Sequence, residues 1–273
     1  MWRCANFELE VRAPLIMGIL NVTPDSFSDG GLHERPEDAC AHARALVAQG
    51  ADIIDVGGES TRPGSEAVSA DEELARVLPV VRQLVSEGLI ISIDTRNASV
   101  AAACVEAGAA IINDVSGFRD RAMVEVAAGC DAGLVVMHML GEPKNMQLDP
   151  HYDDVVGEVS AWLLAQARML EAALVAPERI CIDPGPGFGK TCEHNLALLR
   201  ATPALAALGY PLMAAYSRKG FIGQLTGVEA AHERVAGSVA VAAWAALHGA
   251  RVVRVHDVAP TREALRVLQA IGV

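Results

Sequence analysis

Polar segments that follow short apolar runs carry most of the side chains in this sequence that could do chemistry. Residues 15–20 lead into Asn21-Val22-Thr23-Pro24-Asp25-Ser26-Phe27, and residues 53–56 into Gly57-Gly58-Glu59-Ser60-Thr61-Arg62-Pro63-Gly64. Later runs end in Asp94-Thr95-Arg96, Asn113-Asp114, His138, a glycine-rich stretch from Asp183 to Lys190, Ser217-Arg218-Lys219-Gly220, and finally Arg254 to His256-Asp257. Arg62, Lys219, Arg254 and His256 bring positive charge. With nearby hydroxyls and glycine-rich backbone they suit a phosphate or diphosphate, although each cation taken alone could be an ordinary salt-bridge partner. Asp94, Asn113 and Asp183 form a second set. Carboxylates accept two donors and an amide supplies either polarity, which matches the N–H and carbonyl edge of a planar heterocycle. The other reading of that set is a polar network that only braces the interior.

Eight runs must position these groups: residues 15–20, 53–56, 89–93, 110–112, 134–137, 180–182, 212–215 and 252–255. They are short and nearly all apolar, as strands buried on both faces are. Alanine- and leucine-rich stretches between them have helical spacing, as in 36–49 before Gly50 and 71–86 before Gly88, where glycine marks the helix stop. Ser69 is the expected N-cap of the second, with Glu72 three residues on. Strands alternating with helices imply a parallel sheet, and eight of them favour an α/β TIM (β/α)8 barrel, a single domain over 1–273, with its chemistry where the strands end. The polar stretch 141–154 is expected to form a loop over the mouth.

Composition sets limits on partners. Hydrophobic residues make up 52% and aromatics only 4%, so the core must be aliphatic, and no long segment is polar enough to stay disordered. A net charge of −12 without a basic stripe argues against nucleic acid and anionic membrane surfaces. Six scattered cysteines without metal-ligand spacing read as free thiols, and the N-terminus has no signal-peptide core; the expected location is the cytoplasm. Residues 235–247 are too few to span a membrane and read as a buried helix. Two motifs are set aside. Residues 185–191 end in Gly-Lys-Thr like a Walker A loop, but Pro184 stands where that loop needs glycine. His138 and Met139 have no companion ligands in sequence, so wall packing is preferred to metal binding.

Taken in order, MGILNVTPDSFSDGG, DVGGESTRPG, SIDT, INDVSGF, MHM, IDPGPGFGK, SRKG and RVHD closely resemble the dihydropteroate synthase family of bacterial folate biosynthesis. The resemblance covers nearly the whole chain. It implies Mg2+-dependent condensation of 6-hydroxymethyl-7,8-dihydropterin diphosphate with 4-aminobenzoate to 7,8-dihydropteroate and pyrophosphate, by an SN1-like path in which Asp94 stabilises positive charge on the ring. By the same resemblance Asp94, Asn113, Asp183 and Lys219 bind the pterin and Met137 and Phe188 line its slot. Arg254 stacks on the ring and, with His256, holds the diphosphate; Thr61 also reaches that substrate. Asn21 is the Mg2+ ligand, and Phe27, Thr61, Arg62, Pro63 and Ser217 belong to the aminobenzoate site, which in the family also takes sulfonamides. Asp94, Lys219, Arg254 and His256 are the implied catalytic groups, and family members are homodimers.

Two departures stand out. Tyr216 precedes Ser217 where relatives carry a smaller pair, and Gly220 replaces a common serine. The runner-up is a barrel methyltransferase passing the methyl of methyltetrahydrofolate to a corrinoid protein; such enzymes share the Asp/Asn pterin set but lack the GESTRPG and Ser-Arg-Lys segments present here.

Overall fold

The computed structural model describes residues 1–23, 36–59, 68–142 and 145–272. Two short strands, β1 (Trp2–Cys4) and β2 (Phe7–Leu9), pair as an antiparallel hairpin. Eight parallel strands follow: β3 (Leu15–Asn21), β4 (Ile53–Gly57), β5 (Ile91–Asp94), β6 (Ile111–Asp114), β7 (Gly133–Met137), β8 (Ile180–Asp183), β9 (Met213–Ala214) and β10 (Val252–Val255). They are ordered β8-β7-β6-β5-β4-β3-β10-β9, and a parallel bridge from Ile182 to Leu212 brings the two ends together into a nearly closed barrel. Helices α1 (Pro36–Ala48), α2 (Ala70–Ser86), α3 (Ala98–Glu106), α4 (Arg121–Ala128) and α5 (Val155–Ala172) follow β3 to β7 in turn. After β8 come α6 (Cys192–Arg200) and α7 (Thr202–Ala206), after β9 come α8 (Gly220–Thr226) and α9 (Val235–Leu247), and α10 (Val258–Ala270) follows β10.

Strand alternation divides the interior into layers. Met17, Ile53, Ile111, Val135, Cys181, Met213 and Val252 fall in one buried apolar cluster near the start of the strands. Their neighbours, including Ile16, Ile54, Ile112, Leu134, Val136 and Val253, pack outward in the larger cluster with the helices. Two residues further along each strand the chain returns to the inner face. There the sequence reads Asp55, Asn113, Met137, Asp183 and Arg254. Apolar filling at the bottom and polar groups at the top are thus one consequence of a period of two.

The hairpin, which the sequence reading did not anticipate, closes the bottom. Trp2 is fully buried in the apolar cluster, and its indole N–H donates to the Arg179 carbonyl at 2.9 Å. Arg179, itself buried, donates to the carbonyls of Ala132 and Ala127 at 2.8 Å. Most strand and helix bounds agree with expectation within two residues. The run 212–215 forms a strand only over Met213–Ala214, with Leu212 held by its single bridge to β8. Ser69 caps α2 by accepting the Glu72 amide N–H at 3.2 Å, while the Glu72 carboxylate pairs with Arg76 instead of returning to the cap. One expectation is overturned: α9 is not a buried helix. Ser238, Ala242 and Ala245 face inward, but Trp244 is 44% and Leu247 42% exposed, because α9 packs chiefly on α10 with one side. Among the described residues no helix is long and apolar enough to cross a membrane.

Because Trp2 seals the bottom, far from the strand ends, its loss should cost stability and spare the mouth. Trp2→Ala is expected to lower unfolding free energy by about 3–5 kcal/mol. Urea unfolding reads the loss, and ligand affinity of the folded variant should match that of the native chain.

Candidate active site

Register sets the first row of the site. Asn21 pairs with Gly57, Gly57 with Asp94, and Asp94 with Asn113, so four adjacent strands end on one line. Arg254 reaches this row from β10. Its Nε donates to Asp55 Oδ2 at 2.6 Å and one terminal nitrogen donates to Asp94 Oδ2, also at 2.6 Å. Asp55 Oδ2 additionally accepts Asn113 Nδ2 at 3.1 Å. One carboxylate therefore fixes both the guanidinium and the amide, and with Nδ2 used in this way the Asn113 oxygen remains to accept from a ligand. Asp183, at the end of β8, accepts the Gly185 amide N–H at 2.8 Å.

Burial works against every charge here, and the neighbours decide the outcome. Burial pushes the Asp94 carboxyl up, while Arg254 pulls it back and Asp55 adds repulsion. Burial raises Asp183 to about 6 against the Gly185 amide and the charges of Lys219, Arg254 and Lys190. Lys219 is pushed down to about 8 by burial and by Arg254. Desolvation also opposes the Arg254 charge, but Asp55 and Asp94 outweigh it and hold the guanidinium protonated.

An apolar slot borders the polar row. Met137 and Phe188 cluster with Val115, Met139 and Met146, and the Lys219 ammonium lies 4.2 Å from the centre of the Phe188 ring. On the far side, His256 and Ser217 are tied together: the Ser217 hydroxyl accepts the His256 amide N–H at 3.1 Å and lies 3.1 Å from its Nδ1. Arg218 grips Asp257 with two hydrogen bonds, which joins the loops after β9 and β10.

The structure thus brings together Asp94, Asn113, Asp183, Lys219, Arg254, Met137 and Phe188, and sets Asn21, Ser217 and His256 at strand ends around them. Ser217, expected at the aminobenzoate site, is held by His256 through its hydroxyl. Phe27, Thr61, Arg62 and Pro63 lie outside the described residues. Thr61, Arg62 and Pro63 follow Glu59, whose carboxylate takes two hydrogen bonds from Arg96 and accepts the Val68 amide N–H. Asp114 turns to its own loop, accepting from Ser116 and Phe118. His138 packs in the wall, edge-on to Trp162 at 5.1 Å, as expected. Sequence reasoning missed Asp55. Its signal was present as an acid inside the apolar run 53–56, where a fully buried carboxylate requires a partner.

Comparison with known proteins agrees with this geometry. A family model described as pterin binding enzyme matches residues 17–256. A dihydropteroate synthase of Neisseria meningitidis serogroup C is 49% identical over 277 residues, covering 100% of this chain and 98% of the relative. Two solved structures of the Xanthomonas albilineans dihydropteroate synthase also superpose closely. The one with 4-aminobenzoic acid has a TM-score of 0.92 at 48% identity, covering 96% of this chain and 94% of the other. The one with 7,8-dihydropteroate has a TM-score of 0.89 at 46% identity, covering 96% and 95%. A match of this extent, on a barrel whose mouth holds a buried Asp/Asn row beneath an apolar slot, places the chain in the dihydropteroate synthase family of pterin-binding enzymes.

Proposed function

We propose that this mouth joins 6-hydroxymethyl-7,8-dihydropterin diphosphate to 4-aminobenzoate, releasing pyrophosphate and 7,8-dihydropteroate. The observation that carries the reading is the buried row of Asp94, Asn113 and Asp183, braced by Asp55 and Arg254, beside the slot of Met137 and Phe188. Relatives matched along their whole length bear the synthase name, and one was solved with the product. Asp183 and Asn113 would accept N–H groups of the pterin edge, while Lys219, whose ammonium lies against the Phe188 ring, would donate to the pterin from the same side. When the methylene C–O bond breaks, its electron pair leaves with the diphosphate and positive charge spreads into the pterin. Asp94 stabilises that charge from the row below. The arylamine lone pair then forms the C–N bond and the nitrogen sheds its proton.

Arg254 and His256 would receive the diphosphate, each already oriented, the first by two carboxylates and the second by Ser217. Preorganised donors aimed at developing charge lower the barrier because they need no reordering during reaction. Asn21 offers a single neutral oxygen, and among the described residues no three His, Cys, Asp or Glu side chains gather as metal ligands. A neutral amide oxygen of this kind fits a hard cation such as Mg2+, which Asn21 would hold together with the diphosphate. Bound there, it would neutralise charge on the leaving group. Phe27, Thr61, Arg62, Pro63 and Ser217 are assigned to 4-aminobenzoate, and sulfonamides would compete at that subsite. Free cysteines suit a cytoplasmic enzyme, and the exposed apolar side of α9, with Trp244 and Leu247, suits a homodimer contact.

The direct test is pyrophosphate release, which should depend on 4-aminobenzoate as well as on the pterin diphosphate; release unaffected by the amine rejects the reading. Asp183→Asn should weaken pterin binding severely, and Arg62→Ala should act on turnover and on KM for 4-aminobenzoate. Since the Asp183 carboxyl sits at about 6, its charged fraction falls as pH drops from 7 to 5, and native pterin affinity should fall about tenfold over that window. Calorimetry at both pH values checks this, and the slope should be shallower in Asp183→Asn. For the dimer, Trp244→Asp should halve the mass seen by sedimentation and leave pterin affinity intact.

A further inference from the structure

The Gly-Lys-Thr sequence set aside as a false phosphate loop acquires a place in the structure. Lys190 is 3% exposed, and its ammonium turns inward to three acceptors: His138 Nδ1 at 3.0 Å, the Phe188 carbonyl at 3.0 Å and the His138 carbonyl at 3.4 Å. An ammonium has three N–H donors and accepts nothing. In the charged form each donor is therefore used, and His138 Nδ1 is the acceptor. The imidazole is neutral, with its proton on Nε2; burial and the adjacent Lys190 charge push its pKa down to about 3. Thr191 anchors the lysine from the other side by capping α6, accepting the His194 amide N–H at 3.2 Å.

These contacts join two walls of one slot. His138 directly follows Met137 at the end of β7, and Phe188 lies in the loop after β8. The two segments are in close approach, since a Cβ at Gly185, where φ is +64°, would lie 1.9 Å from the His138 carbonyl oxygen. Tyr152 adds a second tie, its hydroxyl donating to the Gly189 carbonyl at 3.0 Å. Burial pushes the Lys190 ammonium down to about 7; Asp183 supports its charge, whereas Lys219 and Arg119 oppose it. A lysine held for stability alone would not need to bind the residue beside Met137 and Phe188 itself.

We propose that Lys190 is a positioning residue for the pterin slot, whose ammonium clamps the end of β7 to the loop after β8 and so sets the gap between Met137 and Phe188. This inference rests on the reading of the slot as the pterin site. Full-length K190M removes the charge and donors at similar volume. Its Kd for 6-hydroxymethyl-7,8-dihydropterin diphosphate should rise about tenfold, with KM for 4-aminobenzoate within about twofold of native. A variant that only melts earlier, with both constants native, overturns the clamp. Where K190M does not fold, 15N NMR of the native chain decides. His138 should remain the neutral Nε2–H tautomer down to about pH 5, and its resonances should move on adding the pterin diphosphate and stay still with 4-aminobenzoate alone. A His138 that titrates like a free imidazole, or ignores the pterin, overturns the inference. Native protein that binds no pterin rejects the functional reading itself; native binding beside equal binding by K190M rejects the clamp alone.

Discussion

Inside a parallel barrel a carboxylate has little water to turn to, and three of them share the upper layer of this one. Arg254 makes that arrangement tenable. Its guanidinium takes one oxygen of Asp55 and one of Asp94 at 2.6 Å each, in a geometry that a lysine's point charge could not reproduce. An uncompensated buried charge costs several kcal/mol. Without the arginine, Asp55 and Asp94 would both face that cost together with their mutual repulsion. The remaining features of the row follow from the pair. Asn113 has its amide direction from Asp55, and burial of the whole layer raises Asp94 and Asp183 above ordinary carboxyl values.

Layering separates what keeps the barrel standing from what it does. Below the row, Met17, Ile53, Ile111, Val135 and Val252 fall in one apolar cluster with the hairpin's Trp2, whose indole N–H is satisfied by the Arg179 carbonyl. Above it, strand ends are tied crosswise by short-range pairs: Arg218 to Asp257, Ser217 to His256, Arg96 to Glu59. Each joins neighbouring loops, so a segment at the mouth is held at its root. The apolar floor supplies rigidity, and the ties pass it on to groups that must meet a substrate.

Much of this was legible in the sequence because (β/α)8 geometry converts a one-dimensional list of run-ends into a ring. Asp94, Asn113, Asp183, Lys219 and Arg254 were found that way, and the motif resemblance assigned them roles. Asp55 was not, because it sits inside an apolar run rather than after it; runs read for hydrophobicity alone hide which face each residue takes. The hairpin strands Trp2–Cys4 and Phe7–Leu9 are too short to give a periodic signal. The composition of α9 suggested burial all round, but alanine is compatible with either environment, and only packing on α10 decides which side is covered. Lys190 was judged by the motif it failed to match, and its inward turn depends on a histidine 52 residues earlier in the chain.

The span of the central ion pairs has a consequence for how the molecule is made. Arg254 is 199 residues from Asp55 and 160 from Asp94. On the ribosome, both acids are synthesised long before their counter-charge, and a nascent chain lacking the final strand carries an acidic interior that has every reason to stay hydrated. Closure of the ring and neutralisation of its acids are therefore coupled, since the strand that completes the barrel is the one that carries the counter-charge.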